Sequence, residues 1–106
     1  MGGIATDGKS VYWTDEYYGF VLMAPVGGGI VTTLASNQNA PWSLAVDGTS
    51  VYWRNANGGN LMKVPLAGGS PEILAGGQGP GALGLAVDAT SVYWGSVNAL
   101  MKLTPK

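Results

Sequence analysis

The sequence predicts an all-β fold built from repeated units, and three observations lead to this prediction. The tripeptide Val-Tyr-Trp occurs three times, starting at Val11, Val51 and Val92, so that the copies lie 40 and 41 residues apart. A period of about 40 to 45 residues is typical of architectures in which each repeat forms one sheet. The stretches around each copy are rich in β-branched and aromatic residues, and 18 glycines separate them, a pattern that indicates short strands rather than helices.

Each repeat predicts strands joined by tight turns. Turn residues such as Asp47-Gly48 and Ala67-Gly68-Gly69 divide the middle repeat, since Gly, Asp and Asn favour turns. The predicted strands of the first repeat are 3–6, 10–14, 20–26 and 30–35, those of the middle repeat are 42–46, 50–54, 60–66 and 71–75, and those of the third are 84–87, 91–95 and 99–104. The first two repeats therefore predict four-stranded meanders, and the third lacks a fourth strand.

Three features of these strands predict how the sheets pack. Strand alternation places Val and Trp of each Val-Tyr-Trp on one face and Tyr on the other, so both faces of an internal sheet are buried. The first strand of every repeat carries a small residue, which suits a crowded strand next to a central axis; these are Ala5, Ala45 and Ala86. Pro25 and Pro65 have no N–H for a ladder hydrogen bond, so we expect them at a strand end or bulge.

Four-stranded sheets at this period are typical of the blades of a β-propeller. We therefore predict one all-β domain, a partial β-propeller of four-stranded antiparallel blades that is completed by oligomerisation. Blade 1 takes about residues 1–40, blade 2 about 41–81, and the incomplete, three-stranded blade 3 about 82–106.

The motif Tyr12-Trp13-Thr14-Asp15 adds a family resemblance. The chain resembles six-bladed β-propellers of the YWTD type and the related NHL and TolB-like repeats, and the segment 61–69 is similar to bacterial surface or secreted repeats. The later copies read Tyr52-Trp53-Arg54-Asn55 and Tyr93-Trp94-Gly95-Ser96, so the Asp that ties neighbouring blades in that family is kept once. The resemblance implies a binding role and favours an extracellular or cell-surface location.

Composition excludes several classes of function. Only 10% of the residues are charged and the net charge is −1, so we expect neither nucleic acid nor a membrane as partner. The chain has no histidine and no cysteine, which removes the commonest general base and thiolate metal sites, and we expect no cofactor. No apolar run approaches the length of a membrane span, and repeat sequence begins directly after 1–3, so we expect a soluble mature form or a segment without its leader.

Fewer than three full blades cannot close a ring, because propellers have about 4 to 8. Exposed end faces and strand edges favour association. We therefore predict a homodimer in which two chains join head to tail in a ring of about six blades, with a trimer as the alternative. A fragment of a longer parent also fits the sequence.

Loops between the second and third strands and between blades share one rim in a propeller, and this is where we predict a ligand site. The candidate residues are Asp15, Glu16, Tyr17, Tyr18, Asn37, Gln38, Asn39, Trp42, Arg54, Asn55 and Asn57. Amides beside aromatic rings suit a carbohydrate or peptide ligand, although Asn, Gly and Asp are also simply good turn formers. The adjacent carboxylates Asp15 and Glu16 could serve as general acid and base in a hydrolase or lyase, which is a further alternative, but no histidine or nucleophile accompanies them.

The repeated Asp7, Asp47 and Asp88 allow two interpretations. They can form an axial carboxylate ring for a cation such as calcium, or each can cap its own turn, which the turn chemistry favours. The sequence as a whole predicts a non-enzymatic binding module, lectin-like or protein-binding. A purely structural fragment or an engineered repeat without a ligand is the alternative.

Overall fold

The described part of the chain consists of strands and their connections. The computed structural model describes residues 2–77, 84–96 and 99–106. Within these ranges there are eleven strands: β1 Ile4–Thr6, β2 Ser10–Asp15, β3 Phe20–Pro25, β4 Thr32–Ala35, β5 Pro41–Val46, β6 Ser50–Asn55, β7 Leu61–Pro65, β8 Glu72–Ala75, β9 Leu85–Val87, β10 Val92–Ser96 and β11 Ala99–Leu103. Every predicted strand is present, with ends within two residues of the prediction.

The strands form three antiparallel sheets. Blade 1 has the order β1-β2-β3-β4, blade 2 has the order β5-β6-β7-β8, and blade 3 contains β9-β10-β11. The inner strand β5 contacts both β1 and β9, as expected for the strands next to a central axis. The predicted meanders and the three-stranded third sheet are thus confirmed for the described residues. The predicted boundary between blades 2 and 3, at 81–82, lies outside those residues.

Proline and bulges shape the outer half of each full blade. Pro25 is the last residue of β3 and Pro65 the last of β7, so the predicted strand-end position is confirmed. The register between the third and fourth strands shifts at Val21/Leu22 in blade 1 and at Leu61/Met62 in blade 2. The bulge therefore recurs at the same place in both blades, a feature that the sequence did not predict.

Two apolar clusters lie between the blades. Tyr12 of blade 1 belongs to the same core as Val51 and Trp53 of blade 2, and Tyr52 belongs to the same core as Val92 and Trp94 of blade 3. The Val and Trp of blades 2 and 3 therefore face the preceding blade, and the Tyr of blades 1 and 2 faces the following blade. The predicted alternation is confirmed at both internal junctions.

No helix in the described segments has the length and apolar character that crossing a membrane requires.

Candidate functional site

Three loops meet at one rim of the molecule. The backbone N–H of Gln38, in the connection between the blades, donates to the Gly19 carbonyl at 3.0 Å. The N–H of Asn57, after β6, donates to the Asn39 carbonyl at 3.2 Å. The predicted meeting of the β2–β3, β6–β7 and β4–β5 loops is therefore confirmed in blades 1 and 2.

The β2–β3 loop presents two exposed aromatic rings. Oδ1 of Asp15 accepts hydrogen bonds from the N–H groups of Tyr17 and Tyr18 at 3.0 and 3.1 Å, and the N–H of Gly19 closes the turn onto the Asp15 carbonyl at 2.9 Å. The side chains of Tyr17 and Tyr18 are 84% and 68% exposed. Their rings meet edge to face with centroids 4.8 Å apart, and the Tyr18 ring stacks on Phe20 at 6.4 Å. A fixed turn thus holds a row of aromatic rings in solvent.

Two of the predicted rim amides hold the loops together. Nε1 of Trp53 donates to Oδ1 of Asn55, and Nδ2 of Asn55 donates to Oε1 of Gln38, both at 3.1 Å. Nε2 of Gln38 in turn donates to the Ser36 carbonyl at 3.1 Å. Asn55 is buried, which removes it from the groups that a ligand at the rim can reach. The amide-bearing residues that remain exposed are Asn37, Asn39 and Asn57.

The predicted rim position of Arg54 is wrong. Its side chain is buried between blades 2 and 3, where Nη1 donates to the Gly95 carbonyl at 3.4 Å. Burial lowers the pKa of Arg54. The strand continues through Asn55, so alternation turns Arg54 to the same inter-blade face as Tyr52. The matching position in blade 1 is Thr14, which is also buried. Strand alternation from Tyr52 is the sequence signal that could have indicated the position of Arg54.

Thr14, rather than Asp15, ties blade 1 to blade 2. Its Oγ1 donates to the carbonyl of Trp42 at 2.9 Å and accepts from the N–H of Gly3 at 2.8 Å. The side-chain hydrogen bonds of Asp15 stay within its own loop. The tie that the resemblance assigned to the Asp is therefore made by the residue before it. Trp42 itself is exposed at the rim end of the inner strand β5.

The three repeated aspartates cap their own turns. Oδ1 of Asp7, Asp47 and Asp88 accepts the N–H groups two and three residues later, at 2.8–3.0 Å. The turn interpretation is confirmed. Oδ2 of each accepts the hydroxyl of the tyrosine five residues on, at 2.9, 2.8 and 2.6 Å. Sequence reasoning missed this Asp–Tyr pair, although the fixed spacing in all three copies could have indicated it. No three His, Cys, Asp or Glu side chains cluster to hold a metal within residues 2–77, 84–96 and 99–106.

These hydrogen bonds shift the ionisation of the pairs. The Tyr93 hydroxyl, followed by the Thr90 and Ser91 amides, lowers the pKa of Asp88 to about 2. Burial alone would raise the pKa of Asp47, but hydrogen bonds, first from Lys106 and then from the Thr49 amide, lower it overall. Lys106 also forms an ion pair with Asp47, with Nζ and Oδ2 2.7 Å apart. Burial and the bond to Asp47 raise the pKa of Tyr52.

Stability should therefore fall as the pH drops from about 5 to 2. A carboxylate whose folded pKa is depressed stabilises the fold above its unfolded pKa, and this stabilisation is lost as the pH falls through the folded pKa. Thermal unfolding followed by circular dichroism between pH 7 and pH 2 measures this acid limb. We expect Tyr93→Phe to move the limb to higher pH, because it removes the main cause of the low pKa of Asp88. Tyr17→Phe at the exposed rim is the control, and an unmoved limb in Tyr93→Phe contradicts the assignment.

Glu16 is poorly suited to act as a general acid. Its own backbone N–H lowers the pKa of the carboxyl group. A general acid at neutral pH needs a raised pKa, which keeps the proton available. Asp15, the other member of the pair, accepts the two amide hydrogen bonds of its turn. The geometry thus gives Asp15 a structural role in its turn.

Comparison with known proteins bears on the fold. No protein-family model matches the chain, and no curated protein matches it significantly. A propeller chain in the crystal structure of a nidogen/laminin complex is similar to it, with a TM-score of 0.85 and 24% identity over 97% of this chain. The chain has a β-propeller fold. It spans 43% of the length of that matched chain, and at this level of identity the likeness concerns the fold alone.

Proposed function

We propose that this partial propeller is a non-enzymatic binding module that recognises a peptide segment of another protein through the tyrosine pair at its rim. The observation that supports the proposal is the exposure of Tyr17 and Tyr18 side by side on a turn fixed by Asp15. Tyrosine offers a large contact area with only two rotatable side-chain bonds, so little entropy is lost on binding. Aromatic residues are accordingly enriched where proteins bind one another.

The surroundings of the pair suit an extended peptide. The exposed amides of Asn37, Asn39 and Asn57 each offer a donor and an acceptor, which is what an unpaired peptide backbone needs. The loops that carry them are joined by backbone hydrogen bonds, so the site is largely formed before a ligand arrives. A carbohydrate would use the same groups, and it is the other outcome that the binding experiment distinguishes. The partnership of nidogen with laminin in the similar structure supports protein as the ligand class.

The proposal includes a ring made from copies of the chain. Two copies joined head to tail would supply about six blades, and three copies are the alternative. Every copy would present its own tyrosine pair, so a repeated partner would be held at several weak sites at once and gain avidity. The mass in solution tests the ring: the single chain has a mass of 10.8 kDa, and we expect twice this value at micromolar concentration.

Removal of the tyrosine rings should abolish most of the binding. We expect peptide arrays to return binders, and Tyr17→Ala and Tyr18→Ala each to weaken the best one about tenfold or more, since aromatic hot spots contribute about 2 kcal/mol. Ile73→Ala is the matched control, because Ile73 is also an exposed apolar residue but lies on β8. Binding to glycan arrays alone would replace peptide by carbohydrate as the ligand, and an absence of binding on both arrays would contradict the proposal and favour a purely structural unit.

A further inference from the structure

We infer that two faces pack together between copies of this chain: the last face, which is the side of blade 3 turned away from blade 2, and the first face, which is the side of blade 1 turned away from blade 2. The last face of one copy would dock against the first face of a second copy and repeat the geometry of the two internal blade junctions. The first face carries Ile4, Val11, Trp13, Leu22 and Val26, and the last face carries Ala86, Tyr93, Leu100 and Lys102. This inference rests on the proposed ring and specifies the residues that close it.

Burial at equivalent positions of the last face supports the inference. Leu100 pairs with Gly95 in blade 3, as Leu61 pairs with Arg54 in blade 2 and Val21 with Thr14 in blade 1. Leu61 and Val21 are fully buried in the apolar clusters at the two internal junctions, whereas Leu100 is 77% exposed. A leucine at a position that is core in both other blades is therefore in contact with water in the single chain. In blades 1 and 2 this position lies beside the fourth strand of its own blade and in the apolar cluster shared with the next blade.

The first face shows the same contrast. Ile4 pairs with Trp13 as Leu44 pairs with Trp53, yet Ile4 is 61% exposed and Leu44 only 8%. Val26 follows β3 and is exposed, whereas its counterpart Leu66 packs against the core between blades 1 and 2. Val11 and Trp13 on this face correspond to the Val and Trp that share a core with the Tyr of the preceding blade at each internal junction. Tyr93 takes on the last face the position that Tyr12 and Tyr52 take at the internal junctions.

A polar contact at the internal junction fixes the register of the second copy. Nζ of Lys63 lies 5.7 Å from the centre of the Tyr52 ring and donates to the backbone oxygen of Lys106 at 3.2 Å. Lys102 takes the same position over Tyr93, at 5.6 Å. The N–H of Lys106 donates to the Thr90 carbonyl, as the N–H of Val26 donates to the Lys9 carbonyl. Lys106 and Val26 therefore occupy equivalent positions in blades 3 and 1. Lys102 is therefore placed to donate to the Val26 carbonyl of the second copy.

The last face differs from the internal junctions at one position. Thr14 and Arg54 each donate a side-chain hydrogen bond to the next blade, whereas Gly95 has no side chain to do so. A depression of about 290 Å³ lies there instead, bordered by Ala86, Tyr93 and Leu100 among others. The contact between copies therefore depends mainly on apolar packing. We expect the association to be reversible, and we expect the oligomeric fraction to increase with protein concentration.

Cysteine cross-linking tests the junction directly, because the chain has no cysteine of its own. A Cβ atom at Gly3 would lie 3.1 Å from Cβ of Leu44 across the first internal junction. Gly84 and Ile4 are their counterparts on the last and first faces. We expect a mixture of Ile4→Cys chains with Gly84→Cys chains to form disulfide-linked dimers under mild oxidation, since linked Cβ atoms lie about 3.5–4.5 Å apart. A Cβ at Gly84 meets no atom within 4 Å, so this substitution leaves the chain free to fold.

The controls separate this junction from other modes of association. Each cysteine variant alone should stay unlinked, because the two faces are different surfaces; linked dimers in either single sample would indicate same-face pairing and overturn the inference. An oligomeric mass without cross-links in the mixture would overturn the inference while leaving the ring intact. A monomeric mass at all concentrations would overturn both.

Leu100→Glu should weaken association at least tenfold, and Ile73→Glu, on the middle blade, should leave it unchanged; equal effects would also overturn the inference. Binding at the tyrosine pair is measured separately and does not depend on these results.

Discussion

Trp53→Ala is expected to lower the free energy of unfolding by about 3 to 5 kcal/mol, the usual cost of removing a buried tryptophan. Trp53 is fully buried in the core between blades 1 and 2. Its removal leaves a cavity there and deprives Oδ1 of Asn55 of the indole N–H. Urea unfolding followed by circular dichroism measures the change.

Two variants make the result specific. Trp42→Ala removes an exposed tryptophan and should cost far less. Trp53→Phe keeps most of the packing but loses the hydrogen bond to Asn55, so its effect on rim binding separates the role of the indole N–H from that of the ring. Equal costs for Trp53→Ala and Trp42→Ala would contradict the assignment of Trp53 to an inter-blade core.

Gly19→Ala is expected to destabilise the protein by about 2 to 4 kcal/mol and to disrupt the rim. Gly19 has φ +77°, a conformation that costs a residue with a side chain about 1–2 kcal/mol. A Cβ atom there would lie 2.4 Å from the Gln38 carbonyl oxygen, so the loop between the blades would have to move. That movement would break the hydrogen bond from the Gln38 N–H to the Gly19 carbonyl, worth about 1 kcal/mol.

Gly8→Ala is the matched control for this prediction. Gly8 has φ +89°, but a Cβ atom there meets nothing within 4 Å. Gly8→Ala therefore has the same kind of backbone strain as Gly19→Ala but no steric clash with another loop. The difference between the two variants in urea unfolding therefore measures the close approach of the two rim loops. If both lose the same stability and Gly19→Ala binds peptide normally, the loops do not depend on each other.

The strands, their turns and the alternation of Val-Tyr-Trp could be predicted because they follow from local rules. Glycine and aspartate at turns and the period of two within a strand act over a few residues, and each of the three repeats gives the same pattern independently. The capping role of Asp7, Asp47 and Asp88 is local for the same reason. The tyrosine pair at the rim also follows from its place between two strands, since a connecting loop lies at the surface.

Local patterns thus specify the number, order and turn chemistry of the strands and the faces on which the residues of each Val-Tyr-Trp lie. The packing of the blades was needed to show that Arg54 is buried, that Thr14 joins two blades, that Gln38 and Asn55 hold the loops, and that Ile4 and Leu100 are exposed. Each of these features depends on contacts between residues far apart in the chain, at distances that the packing of whole sheets sets. No local pattern within one strand specifies those distances.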